Sequence, residues 1–144
     1  MRKDFDNYSS SRIFRGLLLL DAYLKPAQEN LIRSTFDIEH IFPKKWQNTN
    51  YNGWSIEDAS NYLDRLGNKI VFEKKLNIQA GNGYFGIEKQ KHALSGIASV
   101  IDLGSYEKDD WLKEDIELRE IELKNNIISF LKTELSIPND LIVG

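Results

Sequence analysis

The sequence predicts a single helix-rich α+β domain of 144 residues. Apolar residues recur at helical spacing near both ends of the chain, whereas two short segments in the middle have the apolar pattern of β-strands. The composition, with 41% hydrophobic and 28% charged residues, is that of a folded protein. No repeat and no Pro/Gly/Ser-rich linker divides the chain. These observations favour one compact unit.

The elements are predicted in the following order. Helices are expected over 11–25 and, after Pro26, over 30–34. A strand over 36–42 ends before Pro43, a helix runs from the N-cap Ser55 to near Gly67, and a second strand covers 69–73. Further helices are expected over 85–94 and 110–135. The two strands make a minimal β element between helical segments.

Several classes of protein are excluded. The absence of cysteine excludes thiolate chemistry, and two histidines 52 residues apart exclude a multi-histidine zinc site within one chain. Any metal must therefore lean on oxygen ligands. The apolar run from Leu17 to Leu20 is too short for a signal-peptide core or a membrane span, so we expect a cytoplasmic protein.

Charge is unevenly distributed along the chain. The formal net charge is −3, but residues 41–100 carry eight basic and five acidic side chains, whereas residues 101–144 carry five and eleven. A basic middle is compatible with binding a polyanion, and an acidic tail is most simply a solvated helix face.

The first predicted strand carries the residues with the most chemistry. Asp37 and Glu39 lie two apart and share one face of a strand, whereas His40 points the other way unless the backbone turns there. Of the amide side chains further along the sequence, Asn68, Asn77 and Asn82 are the candidates for the same site. Carboxylate, amide oxygen and water are the ligands of a hard divalent cation, so this set predicts a site for one such ion.

Five motifs in order resemble a known family. Glu39-His40-Ile41-Phe42-Pro43 is followed by Leu66-Gly67-Asn68-Lys69-Ile70-Val71, then by an Asn-bearing stretch over 76–82, then by Phe85 and Lys89. A last series comprises Trp111, Ile116, Arg119 and Leu123. Over residues 37 to 124 the chain resembles the HNH or His-Me finger nucleases, and more closely the C-terminal domain of GmrSD-type modification-dependent restriction endonucleases.

This resemblance implies a fold and an activity. It implies a ββα-metal (His-Me finger) core over 36–96, with a helical lead-in over 1–35 and a C-terminal helical segment over 97–144. The activity is hydrolysis of DNA phosphodiester bonds, in restriction or phage defence, with magnesium as the cofactor and manganese as the alternative. The partners are DNA and a nucleotide-hydrolysing, ParB-like domain or subunit that this chain does not contain.

The resemblance also assigns roles to residues. His40 is the general base, because the usual pKa of a histidine, about 6.5, leaves it mostly neutral at pH 7. Glu39 and Asn77 hold the metal, with Asp37 as a second carboxylate, and Asn68 orients His40 or pins its loop. Asn82 is a further ligand or a turn residue, and Lys89 touches a phosphate. A basic rim that contacts phosphates is expected from Lys44, Lys45, Lys69, Lys74 and Lys75.

The chain departs from the family pattern in its later helices. His92 stands where an aromatic residue is expected, Lys89 is one position late, and Phe130 replaces a tryptophan. His92 is therefore interpreted as structural. The alternative function is a catalytically silent DNA-binding or partner-docking module on the same scaffold. A third reading is a small helical protein whose acidic C-terminal helix binds a partner.

Overall fold

The computed structural model describes residues 12–32, 35–43, 54–74, 76 and 85–134. Within these ranges the helices and strands follow in the order α1 (Phe14–Leu24), β1 (Phe36–His40), α2 (Ile56–Tyr62), β2 (Lys69–Glu73), α3 (Phe85–His92), α4 (Ala98–Gly104) and α5 (Lys113–Glu134). This confirms the helix-rich α+β class with a long C-terminal helix. A ββα-metal core is not established by these elements, since residues 77–84, which follow β2 in the sequence, lie outside the described ranges.

The two strands form an antiparallel pair at the centre of the fold. Glu39 faces Ile70 across the pair and His40 faces Lys69. The prediction for β2 is confirmed: its apolar run of Ile70, Val71 and Phe72 is buried, and Lys69 before this run is buried as well. Strand β1 ends at His40, two residues earlier than predicted. Beyond it Ile41 and Phe42 are both fully buried.

The N-terminal helices agree with the sequence in part. Helix α1 ends at Leu24, ahead of Pro26. The helix expected over 30–34 is wrong for residues 30–32, which are not helical, and the backbone N–H of Ile32 donates instead to the Tyr23 hydroxyl at 2.8 Å. Ser55 caps α2 as predicted, since its Oγ accepts the Asp58 N–H at 3.1 Å.

Helix α2 ends at Tyr62, before the predicted end near Gly67, and a 3₁₀ turn over Leu66–Asn68 leads into β2. This turn lies against α5. A Cβ atom at Gly67 would meet the Ile116 carbonyl oxygen at 2.2 Å, so the close approach requires glycine. Because α5 packs on the turn, it fixes where Asn68 and the start of β2 lie.

Helix α5 presents Ile116, Leu123 and Ile127 to the core. Its polar side chains also hold the centre of the fold. Glu120 accepts hydrogen bonds from the Arg65 guanidinium and from the backbone N–H of Gly67, and Arg119 donates to the Lys69 carbonyl at 2.8 Å. Helix α4 was not predicted. Of the helices in the described part of the chain, none is long and apolar enough to cross a membrane.

Candidate functional site

His40 lies at the last position of β1, where the sheet ends. Its Nε2 atom is 2.9 Å from Oδ1 of Asp64, which follows α2. The His40 side chain is 16% exposed and that of Asp64 is 67% exposed, so the pair is open to solvent on one side. The Lys69 ammonium approaches the same Asp64 oxygen at 3.5 Å from a buried position.

The hydrogen bond between His40 and Asp64 has a defined direction. Burial by itself raises the pKa of Asp64, but the hydrogen bond from His40 and the charge of Lys69 outweigh it, and the net pKa lies below the usual value. Asp64 is therefore an anion that only accepts hydrogen bonds. Nε2 of His40 must then carry a proton, and in the neutral ring Nδ1 is the nitrogen without one.

Asn68 pins the chain that follows His40. Its side chain is fully buried, and its Oδ1 accepts the Phe42 N–H at 2.8 Å. Its Nδ2 donates to the Phe42 carbonyl at 3.1 Å and to the Leu63 carbonyl at 2.8 Å. One amide thus joins the segment after β1, which directly follows His40, to the segment after α2, which carries Asp64.

Glu39 has a different environment from its neighbour His40. It is buried against α3, where its Oε2 lies 3.0 Å from Nε2 of His92. Glu88 and His92, four residues apart on one face of α3, form a group with it in which one donor atom of each lies within 4.8 Å of the others. We call Glu39, Glu88 and His92 the buried triad. Their residue exposures are 5%, 2% and 0%.

The donor chemistry of the buried triad fits a divalent cation. Among the described residues, neither Oε1 of Glu39 nor Nδ1 of His92 has a hydrogen-bond partner. A buried carboxylate oxygen without a hydrogen-bond partner is costly, and two carboxylates with an imidazole are ligand types that a divalent ion binds. Two of the three donors are carboxylates, in line with the expectation that a metal here leans on oxygen ligands, and the third is the imidazole of His92.

The other predicted site residues do not gather around His40. Asp37 is half-buried opposite Phe72 and is not a member of the buried triad. Lys89 donates to the carbonyls of Tyr106 at 2.5 Å and Lys108 at 3.1 Å, so its ammonium ties down the segment before α5.

The predicted basic rim is not assembled by the two of its lysines that are described. Lys69 is 2% exposed, and its ammonium lies 5.1 Å from the centroid of the Phe14 ring as well as near Asp64. Lys74 is exposed but follows β2 at the end away from His40, about 16 Å along the strand at ~3.3 Å per residue. Five predicted residues lie outside the described ranges, namely Asn77, Asn82, Lys44, Lys45 and Lys75.

Sequence reasoning missed three residues of the site, namely Asp64, Glu88 and His92. Asp64 is 24 positions from His40, and Glu39 is 53 positions from His92, so no local pattern connects them. The spacing of Glu88 and His92 is the one available signal, because residues four apart share a helix face. His92 was interpreted as structural because it stands where an aromatic residue is expected.

Comparisons with known proteins give one result. No curated protein and no solved structure shows significant similarity to the chain. A family model described as "GmrSD restriction endonucleases, C-terminal domain" matches residues 1–126. This range contains both strands, the His40–Asp64 pair and the buried triad. The chain therefore belongs to the family of C-terminal domains of GmrSD restriction endonucleases.

Proposed function

We propose that this domain is a metal-dependent DNA endonuclease with His40 as its general base, acting in restriction or phage defence in a prokaryotic cytoplasm. The family supports a nuclease of the restriction-endonuclease kind. The observation that carries the proposal for this chain is the solvent-accessible His40, whose Nε2 lies 2.9 Å from Asp64 at the end of β1. A base for water must be oriented, partly neutral and accessible, and this histidine meets the first and third conditions directly.

Asp64 is the positioning residue in this proposal. Its carboxylate accepts a hydrogen bond from the Nε2–H group, so that Nδ1 is the ring nitrogen that would take a proton from water, much as an aspartate orients the imidazole of other hydrolases. Asn68 also helps to orient His40, because its side chain hydrogen-bonds the backbone of Phe42, two residues after the proposed base. Loss of such an orienting contact typically costs 10- to 100-fold in activity.

The proposed cofactor is a divalent cation. Such an ion neutralises charge on the phosphate and stabilises the leaving oxygen when it is bound. Glu39 and Asp37 are the proposed ligands that lie in the described part of the chain, and the unpartnered Oε1 of Glu39 supports a ligand role for Glu39. Asn77 and Asp37 stay proposals from the resemblance.

The proposed DNA contacts near His40 are those of Lys44 and Lys45, which directly follow Pro43 in the sequence. Lys69 is dropped from these contacts because its side chain is buried. Replacing Lys44 and Lys45 by glutamate should weaken binding to all sequences alike and reduce the salt slope by about 0.9 per lost phosphate contact. Lys74→Glu is the matched control at the far end of β2, and fluorescence anisotropy across salt concentrations measures both.

Plasmid cleavage tests the function. Pure protein is incubated with supercoiled plasmid in magnesium, in manganese and in EDTA, and His40→Ala is compared with Glu57→Gln, an exposed change in the first turn of α2. We expect metal-dependent cutting that falls by on the order of 100-fold or more in His40→Ala and is unchanged in Glu57→Gln. Cutting by His40→Ala at the wild-type rate would refute the base. DNA binding without any cutting would favour the alternative, a silent binding module.

A further inference from the structure

We propose that the buried triad of Glu39, Glu88 and His92 is a binding site for one first-row transition-metal ion, in preference to magnesium. The inference rests on the proposed function only in that Glu39 is the ligand shared with the proposed cofactor. Glu88 and His92 are assigned here from their geometry. The class of metal follows from the donor atoms and their burial.

The geometry meets the first requirement of a metal site. Donor atoms from two carboxylates and one imidazole converge within 4.8 Å of one another, as ligands of a single ion do when they move inward slightly on binding. Two of the ligands come from one face of α3 and the third from β1, so the ion would join a helix to the sheet. Three protein ligands leave a further position for water or substrate.

The electrostatics meets the second requirement. All three residues are at least 95% buried, and Oε1 of Glu39 and Nδ1 of His92 have no hydrogen-bond partner in the described part of the chain. Buried polar atoms are nearly always partnered in folded proteins, so the Oε1 atom of Glu39 calls for a group that the described residues do not supply. A divalent ion bound by the triad would supply that partner.

The ligand types decide the class of ion. Magnesium prefers oxygen ligands, keeps several waters and dehydrates reluctantly, so a buried site with an imidazole suits it poorly. Zinc, cobalt and manganese bind imidazole together with carboxylate. The packing around His92 also fixes its ring, which lies 5.2 Å from the Phe72 ring and 6.2 Å from the Phe85 ring between centroids.

The test measures binding and not cutting. Metal-free protein is titrated with Zn²⁺, Mn²⁺ and Mg²⁺ by calorimetry, metal content is measured after dialysis, and Co²⁺ is added to wild type to record its d–d absorption. We expect one Zn²⁺ per chain, at least 100-fold weaker binding of Mg²⁺, and a Co²⁺ spectrum of a low-coordinate nitrogen–oxygen site. The melting temperature should rise by on the order of 5–10 °C when free Zn²⁺ is about 100 times its Kd.

Variants locate the ion. Glu88→Gln keeps the side-chain shape, and His92→Phe keeps an aromatic ring against Phe72 and Phe85, so both should fold. Each should weaken Zn²⁺ binding by on the order of 100-fold or more, since even outer contacts of a metal site are worth 10- to 100-fold. The control is His40→Gln, which removes the other histidine of the chain and should leave binding unchanged.

Three results would overturn the inference. The first is that the wild type does not bind Zn²⁺, and the second is that it binds Mg²⁺ with equal affinity. The third is that Zn²⁺ binding is lost in His40→Gln but retained in Glu88→Gln, a result that would place the ion at His40 and Asp64. If a triad variant fails to fold, the wild-type affinities and the Co²⁺ spectrum still decide. If the protein binds Zn²⁺ at the triad but cuts no DNA, the proposed function is refuted and this inference stands. If it cuts DNA while the triad binds no ion, this inference is refuted and the proposed function stands.

Discussion

The Asn68→Ala substitution tests whether one amide fixes the segment that carries His40. The wild-type side chain makes three hydrogen bonds, at 2.8, 3.1 and 2.8 Å, and is fully buried. Truncation leaves one N–H and two carbonyls of the backbone without this partner. Each lost bond contributes about 0.5–1.5 kcal/mol, and a buried group left unpaired costs about 1–3 kcal/mol, so we expect a loss of roughly 3–5 kcal/mol in the free energy of unfolding.

That loss is a large part of the about 5–15 kcal/mol typical of a domain, so the variant should be well folded only at low temperature. Urea unfolding followed by circular dichroism measures it, with Asn61→Ala on the exposed face of α2 as the matched control. The control should lie within about 0.5 kcal/mol of wild type. Asn68→Asp keeps the acceptor but turns an oxygen toward two carbonyls, so it should cost at least as much. If Asn68→Ala lowers the free energy of unfolding by less than about 1 kcal/mol, the Asn68 side chain is not what holds the segment after β1.

Three further predictions concern the surroundings of the site. Gly67→Ala should destabilise by more than about 2 kcal/mol in thermal melts, because a Cβ there would lie 2.2 Å from a backbone oxygen of α5, and a loss under about 0.5 kcal/mol would refute that contact. Glu120→Gln should remove about 1.5–3 kcal/mol at pH 7. Burial raises the pKa of Glu120, but the hydrogen bonds from Arg65 and from the Gly67 N–H lower it by more, so the net pKa lies below the usual 4.5. The stability that Glu120 contributes to the wild type is therefore fully present above pH 4.5 and is lost as the pH falls through the pKa of the folded state. Urea melts from pH 7 to pH 3 should converge for wild type and variant, and a constant gap would contradict the assignment. Asp64→Asn should lower kcat about 10- to 100-fold with little change in KM. At pH 8, ¹⁵N spectra should show the Nε2-protonated tautomer of His40 in the wild type and a mixture of the two tautomers in the variant. Identical spectra would exclude Asp64 as the group that orients His40.

The sequence predicted the elements that have strong local patterns. Strand β2 is a nearly continuous apolar run with a glycine before it, and the Ser55 cap begins α2 where expected. Helix α4 was missed because it is apolar on most sides: Ala98, Val100 and Leu103 are buried, so no polar face marks its period.

The candidate site was predictable only where it is local. The Glu39-His40 pair and Asn68 were found because they lie in short motifs, whereas Asp64 and the buried triad arise from contacts between distant parts of the chain. Lys69 shows the opposite failure. Closeness to the motif suggested an exposed cation, but its position opposite His40 in the strand pair carries it into the protein, beside Asp64.

The acidic C-terminal segment also has a different meaning in three dimensions. Its excess charge suggested a solvated face, and Glu114, Glu122 and Glu134 are indeed exposed, whereas Asp115 and Glu120 are buried. Asp115 accepts hydrogen bonds from the Lys108 ammonium at 2.9 Å and the Leu112 N–H at 2.9 Å, and Glu120 holds the Arg65 guanidinium. These carboxylates are neutralised where they stand, so they add little to the long-range field that DNA meets. Each pair sets one negative charge against one positive charge that the formal total already counts, so the net charge stays −3 and only its distribution changes. Because salt screens charges beyond a Debye length of about 8 Å, the proposed DNA binding should respond mainly to the exposed side chains near His40.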